Sequence, residues 1–149
     1  MGTFARGHFH AGEVVTVWRH GVFSAADAAG LEGGERFERS DGMVVWLPPG
    51  DEGLDEDRLN HSCDPNVWME DEVTLSARRS MAPGEELTGD YSLWELDADW
   101  VCPWRCECGA AECRGVVTGR DWELPELQAR YGEHFHPVLL GRMGRRSGR

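Results

Sequence analysis

Asn60-His61-Ser62-Cys63-Asp64-Pro65-Asn66 is the stretch on which the reading of this chain turns. It sets two amides, an imidazole, a hydroxyl, a thiol and a carboxylate beside one proline, with no large apolar side chain among them. Such residues do not build a core segment. Asn, Asp and Ser bond neighbouring backbone through short side chains and proline fixes its own φ, so a tight polar loop is predicted. Loops this dense in reactive and hydrogen-bonding groups carry function more often than bland connections do. Leu59 is the expected anchor at its entry.

Outward from that loop the chain reads as short strands separated by turn signals. Gly2 to Val15 is predicted as strand, turn and strand around Ala11-Gly12-Glu13, and the β-branched run Val14 to His20 as a strand. Ser24 with Asp27 three residues on is a helix start, closed by Gly30. Glu35–Ser40 and Met43–Leu47 form a hairpin about Asp41-Gly42. Asn66–Met69, Glu72–Ala77 and, after the turn Pro83-Gly84, Glu86–Tyr91 complete the strands. Past Trp94 the composition changes to tryptophans and cysteines; a helix over Asp121–Tyr131 ending at Gly132, a second over Pro137–Met143 and a disordered tail Arg145–Arg149 follow.

With 149 residues, 40% hydrophobic and 28% charged, the chain is of single-domain size and globular composition. No apolar run approaches the roughly 18 residues that span a bilayer, and no basic-then-apolar leader opens the sequence, so a cytoplasmic protein with no membrane partner is expected. The net charge of -12 argues against direct nucleic-acid binding, which draws its affinity from basic residues on phosphates. The acidic runs Asp51-Glu52, Asp55-Glu56-Asp57 and Glu70-Asp71-Glu72 flank the central loop and would steer a lysine-rich peptide towards it. All 15 basic residues are arginine, so the chain offers no lysine side chain of its own. Cys106, Cys108 and Cys113 in C-x-C-x4-C spacing suit thiolates converging on one cation rather than a disulfide framework. A tetrahedral zinc needs a fourth ligand, and Cys102 is the nearest cysteine in sequence.

Two further segments complete the pattern: Gly84-Glu85-Glu86-Leu87-Thr88-Gly89-Asp90-Tyr91, then Cys106-Glu107-Cys108-Gly109-Ala110-Ala111-Glu112-Cys113-Arg114-Gly115. In that order and at those separations, the loop and these segments resemble the SET-domain protein-lysine methyltransferases that carry a post-SET zinc motif, over most of the chain. The resemblance implies a mostly-β fold with short helices, made of small curved sheets with a pseudoknot and a C-terminal zinc-binding appendage. It divides the sequence into residues 1–95 as SET domain, 102–118 as post-SET segment and 119–149 as a helical extension. S-adenosylmethionine is the implied cofactor, with Asn60 binding it through its amide, His61 chiefly through backbone, and Gly2 standing where a side chain would block approach. Tyr91 is the implied catalytic tyrosine. Cys63 becomes the fourth ligand of a structural zinc, beside Cys106, Cys108 and Cys113. The implied partner is a lysine-containing protein or basic peptide, taken up by a monomer, and an inactive SET-like interaction module is the alternative.

The chain departs from the family at two places. Only Gly2 can match the family's Gly-x-Gly pair, so the strand before it and part of one cofactor wall are expected to lie outside this sequence. Gly89 stands two residues before the tyrosine, where the family commonly has Phe or Tyr to limit how many methyls the lysine carries. Either the channel is wider there, or another aromatic such as Trp94 fills it.

Overall fold

The computed structural model describes residues 2–18, 21–38, 42–49 and 59–147. The acidic runs Asp51-Glu52 and Asp55-Glu56-Asp57, the hairpin residue Asp41 and the last two residues lie outside the described residues. Three small sheets make up the β structure. In the first, β1 (Val14–Val17) lies antiparallel to β7 (Thr74–Ala77), which lies antiparallel to β6 (Val67–Met69). The second places β4 (Met43–Leu47) between β2 (Gly21–Ser24) and β3 (Glu35–Glu38), antiparallel to both. The third pairs β5 (Asn60–His61) parallel with β8 (Thr88–Gly89). The β structure is thus built of small sheets, as the resemblance implies.

The third sheet is short, but it crosses the chain over itself. The loop after β5 lies across the segment leading into Tyr91: Ser62 N–H donates to the Gly89 carbonyl at 2.9 Å and Asn66 N–H to the Thr88 carbonyl at 3.1 Å. Asn66 holds the crossing together. Its side chain is buried, donates to the Glu86 carbonyl at 2.7 Å and accepts from Thr88 N–H at 2.8 Å, so it satisfies backbone groups that no neighbouring strand reaches. This is the contact on which the expected pseudoknot depends.

Several predicted boundaries move. The Gly2 to Val15 segment, predicted as two strands, forms only isolated bridges, Phe4 to Glu86 and Phe9 to Met81, before β1 begins at Val14. Strand β2 goes unpredicted; its four residues form a strand because β4 supplies the partner. The last core strand stops at Gly89, and Tyr91 instead opens a 3-10 turn over Tyr91–Leu93, because the Asp90 carboxylate accepts from Ser92 N–H at 3.0 Å and caps it. The single helix expected over Asp121–Tyr131 is broken into a 3-10 turn, Asp121–Glu123, and α2 (Pro125–Tyr131). The residue before a proline is forced out of the helical region, and Leu124 sits at φ −69°, ψ 122°. Helix α3 runs from Pro137 to Ser147, beyond the predicted Met143 and into the tail expected to be disordered. Helix α1 (Ala25–Ala28) starts as predicted, with the Ser24 hydroxyl accepting from Asp27 N–H at 3.1 Å.

One apolar core joins the sheets to the C-terminal helices. Val67, Met69, Leu75 and Ala77 of the first sheet pack with Leu87, Leu93 and Trp94, and with Trp122, Leu127, Phe135 and Leu139 from the helical end. His136 N–H donates to the Leu93 carbonyl at 2.7 Å, tying the start of α3 to the turn that carries Tyr91. No helix among the described residues is long and apolar enough to cross a membrane.

The question posed by Gly89 is answered by packing. A Cβ on Gly89 would lie 2.1 Å from Cη2 of Trp94, so the indole occupies the volume that a side chain at 89 would need. Trp94 is 9% exposed and meets Trp18 edge-on at 5.5 Å, which leaves it little room to retreat. Gly89→Ala should therefore cost about 1–3 kcal/mol through overpacking. Trp94→Leu in the same chain should recover most of that loss, and a double-mutant cycle by chemical denaturation measures both.

Candidate functional site

Four groups of residues meet where the 60–66 loop crosses the 86–91 segment. At the outer rim are Gly2, Asn60 and Glu86. A Cβ on Gly2 would lie 2.2 Å from Glu86 Oε1 and 2.9 Å from Asn60 Nδ2, so glycine is what lets this backbone approach. Asn60 Nδ2 donates to Glu86 Oε1 at 2.6 Å. The structure thus brings together two predicted site residues, Gly2 and Asn60, and adds a carboxylate that the sequence reading did not single out.

Next inward stands Tyr91. Its hydroxyl donates to the Leu59 carbonyl at 2.9 Å, immediately before Asn60, and its ring lies within 6.1 Å of the rings of His61, Trp94 and Trp100. A phenol held in this way has a fixed oxygen, with its proton engaged and lone pairs left to accept. His61 turns away from the rim. Its side chain is 4% exposed; Nδ1 accepts from Tyr91 N–H at 3.3 Å and Nε2 faces Cys63 Sγ at 3.3 Å. Because Nδ1 accepts, the proton belongs on Nε2, directed at sulfur. Burial holds the imidazole pKa below its ordinary value, so it stays neutral at physiological pH. Only the backbone of His61 remains for a ligand at the rim.

Behind His61, Cys63, Cys106, Cys108 and Cys113 place their sulfurs within 4.8 Å of one another. Cys102 is buried in the same cluster but is not among the four. Cys63 Sγ and Cys106 Sγ are 4.0 Å apart. Tetrahedral ligands at about 2.3 Å from a zinc ion are separated by about 3.8 Å, so the set fits such a cation. Burial pushes the Cys63 thiol up to about 12 and the Cys106 thiol up to about 11. Burial would raise Cys108 too, but hydrogen bonds from Cys63 N–H, Ala110 N–H and its neighbouring thiols outweigh it and bring the group down to about 6. Four thiols this close cannot all ionise without a positive charge among them. The arrangement can therefore hold a divalent metal ion with its coordination closed by sulfur.

The fourth group is a buried ionic network that the sequence reading missed. Arg114 donates from Nη1 to Asp90 Oδ2 at 2.8 Å, from Nη2 to Asp90 Oδ1 at 2.7 Å and from Nε to Asp121 Oδ2 at 2.8 Å. The Tyr131 hydroxyl adds a bond to Asp90 Oδ2 at 2.9 Å. Burial alone would raise the Asp90 carboxyl, but the bidentate guanidinium holds it below the usual carboxylate range. The available signal was adjacency, since Arg114 follows a cysteine of the cluster and Asp90 precedes the tyrosine, but their pairing spans 24 residues.

Residues 1–92 match the SET domain. The chain belongs to the SET-domain family. Among curated relatives, its SET domain is similar to that of histone-lysine N-methyltransferase ash1 of Drosophila melanogaster, 34% identical over 94 residues that make up 58% of this chain and 4% of that protein. It is also similar to the methyltransferase flvH of Aspergillus flavus, 33% identical over 88 residues, 56% of this chain and 48% of that one. The chain thus spans less than half the length of either relative. The methyltransferase domain of human histone-lysine N-methyltransferase SETMAR has the same SET fold, with TM-score 0.55 and 22% identity over 75% of this chain and 51% of that one. KRYPTONITE, solved in complex with mCHG DNA and SAH, aligns with TM-score 0.54 and 26% identity over 76% of this chain and 26% of its own.

The depressed Asp90 pKa has a direction that can be checked. A carboxylate whose folded pKa lies below its unfolded value of about 3.9 stabilises the protein above that pH and loses the contribution as pH falls through the folded value. Asp90→Asn should flatten the decline of stability below about pH 4. At neutral pH it should cost about 3 kcal/mol, because Arg114 then stays buried with one charged partner fewer. Urea unfolding at several pH values reads both effects.

Proposed function

We propose that this SET domain transfers a methyl group from S-adenosylmethionine to a lysine side chain of a protein. The observation that carries the reading is the placement of the Tyr91 hydroxyl, fixed on the Leu59 carbonyl one residue from Asn60, inside a segment matched by the SET domain. The cofactor, when bound, supplies an electrophilic methyl on a cationic sulfonium. Gly2, Asn60 and Glu86 would hold its methionine end, where the missing side chain of Gly2 lets its backbone lie against Asn60 and Glu86, and a carboxylate and an amide suit cationic and polar groups. KRYPTONITE, a structural relative, was solved with SAH, which supports that assignment of cofactor.

The amine must arrive unprotonated from a free pKa of about 10.4 and lie in line with the methyl. Tyr91 serves this by position: its oxygen is fixed, its proton is engaged, and its lone pairs can accept from the amine. Trp94, Trp100 and His61 pack their rings against the phenol and hold its plane in place. Trp94 supplies the channel wall that Gly89 lacks, which favours a narrow channel over the wider one the sequence left open. A polypeptide substrate fits the surface of the cysteine-rich segment, where Val101, Trp104 and Val116 are each more than half exposed. The net charge of -12 favours a basic one.

We further assign the four thiols to a structural zinc of post-SET type, with Cys63 joining the C-terminal segment to the central loop. The bridging geometry, sulfurs within 4.8 Å from positions 43 to 50 residues apart, supports this. Metal analysis of Cys63→Ser should show loss of the bound zinc and Cys102→Ser its retention; the reverse result would transfer the ligand role to Cys102. Affinity should weaken as pH is lowered, because protons compete for thiolates.

Tyr91→Phe should lower turnover by about a hundredfold while leaving cofactor affinity within about twofold, since the ring is kept and only a transition-state contact is lost. Transfer of labelled methyl to a lysine-rich histone mixture, beside calorimetric binding of S-adenosylmethionine, measures the two. Unchanged transfer in the variant would remove Tyr91 from the reaction. Cofactor binding without transfer in the parent chain would favour an inactive interaction module.

A further inference from the structure

The chain places a charged side chain where no charge is required for packing. Arg114 is 13% exposed and Asp90 fully buried, and a buried ion pair of this kind is no more stable than well-packed apolar residues would be. What it adds is geometry. The fork of Arg114 meets both oxygens of Asp90 while its Nε is held by Asp121, so the guanidinium plane is fixed by three bonds from two carboxylates. Asp90 in turn caps the turn that begins at Tyr91, through Ser92 N–H, and accepts the Tyr131 hydroxyl of α2.

At its other end Arg114 belongs to the thiol cluster. It follows Cys113 directly, and its own N–H donates to Cys63 Sγ at 3.4 Å. The backbone that presents the guanidinium is therefore the backbone that closes the four-sulfur site. Helix α2 ties in the same loop, with Arg130 Nη1 donating to the Cys63 carbonyl at 3.0 Å. A cation among the four sulfurs fixes Cys113 and Cys63, which fixes the start of the Arg114 side chain, and the fork then fixes Asp90 beside Tyr91.

We propose that Arg114 is a positioning residue that transmits occupancy of the four-thiol site to the turn carrying Tyr91, so that metal loading sets the order of the tyrosine without the metal touching the reaction. The proposal rests on the metal assignment made above, but it concerns the folded chain whether or not methyl transfer is its activity. Arg114 contacts neither the rim residues nor the phenol, and it acts through Asp90.

The test compares the full chain with Arg114→Gln and Arg114→Lys, each stripped of metal and reloaded with zinc ion, by amide hydrogen exchange of the segment 88–95. In the parent chain, loading should slow exchange of that segment by about tenfold or more. Both variants should still bind one zinc, shown by cobalt(II) substitution giving a tetrahedral four-thiolate spectrum. In Arg114→Gln, exchange of 88–95 should no longer respond to loading. Arg114→Lys, which keeps the charge and loses the fork, should respond only in part and secures the comparison if the glutamine variant unfolds. Where methyl transfer is measurable, both should lower kcat by about ten- to a hundredfold with KM for the cofactor little changed. An undiminished response in the variants, or no response in the parent chain, overturns the proposal. So does loss of metal binding, which would make Arg114 a part of the cluster's own fold. A metal-linked exchange response in a parent chain that transfers no methyl would overturn the functional reading and leave this one standing.

Discussion

The crossing of the Asn60–Asn66 loop over the segment 86–91 is the constraint on which the rest of the structure depends. Two stretches more than twenty residues apart must bury their backbone against each other with only a two-residue parallel ladder between them. A buried N–H or C=O left without a partner costs about 1–3 kcal/mol, so the short ladder needs help. The Asn66 amide supplies it from a side chain that both donates and accepts. Everything chemical in the molecule then follows from position: Asn60 comes to the rim, Tyr91 to the interior of the crossing, and Cys63 to the far side.

Two arginines from the C-terminal segments tie down the far side. Arg114 reaches the loop through its backbone N–H on the Cys63 sulfur and the crossed segment through its guanidinium on Asp90, and Arg130 reaches the loop through the Cys63 carbonyl. The helices that follow are not an independent unit in packing terms. Phe135 and Leu139 share a core with Leu75 and Leu93, and burying each such side chain is worth about 1.5–3 kcal/mol. The C-terminal third therefore stabilises the turn that presents the tyrosine as well as shielding it.

Electrostatics in the site separate into layers. The rim holds a carboxylate beside a polar amide, suited to cations from solvent. The middle layer is neutral: a buried imidazole held uncharged and a phenol bonded to a carbonyl. The inner layer is ionic, with the carboxylates of Asp90 and Asp121 shared around one guanidinium.

By itself the sequence determined the fold class, the polar loop, the turn residues and the residue types available for chemistry. These depend on local properties: β-branched runs extend, Gly42 and Gly84 turn with positive φ, and thiols at close spacing can converge. Asn60, Tyr91, Cys106, Cys108 and Cys113 could be singled out because each sits in a compact motif with characteristic neighbours, whereas Gly2 and Cys63 rested on the family resemblance. Only the tertiary structure decided that Trp94 fills the space of Gly89, that Asp90 caps a 3-10 turn, and that Arg114 pairs with Asp90 while Cys102 stays outside the group of four sulfurs. Each of those outcomes depends on side chains brought together from distant positions, where volume and charge must be matched in three dimensions and no spacing along the chain records the match.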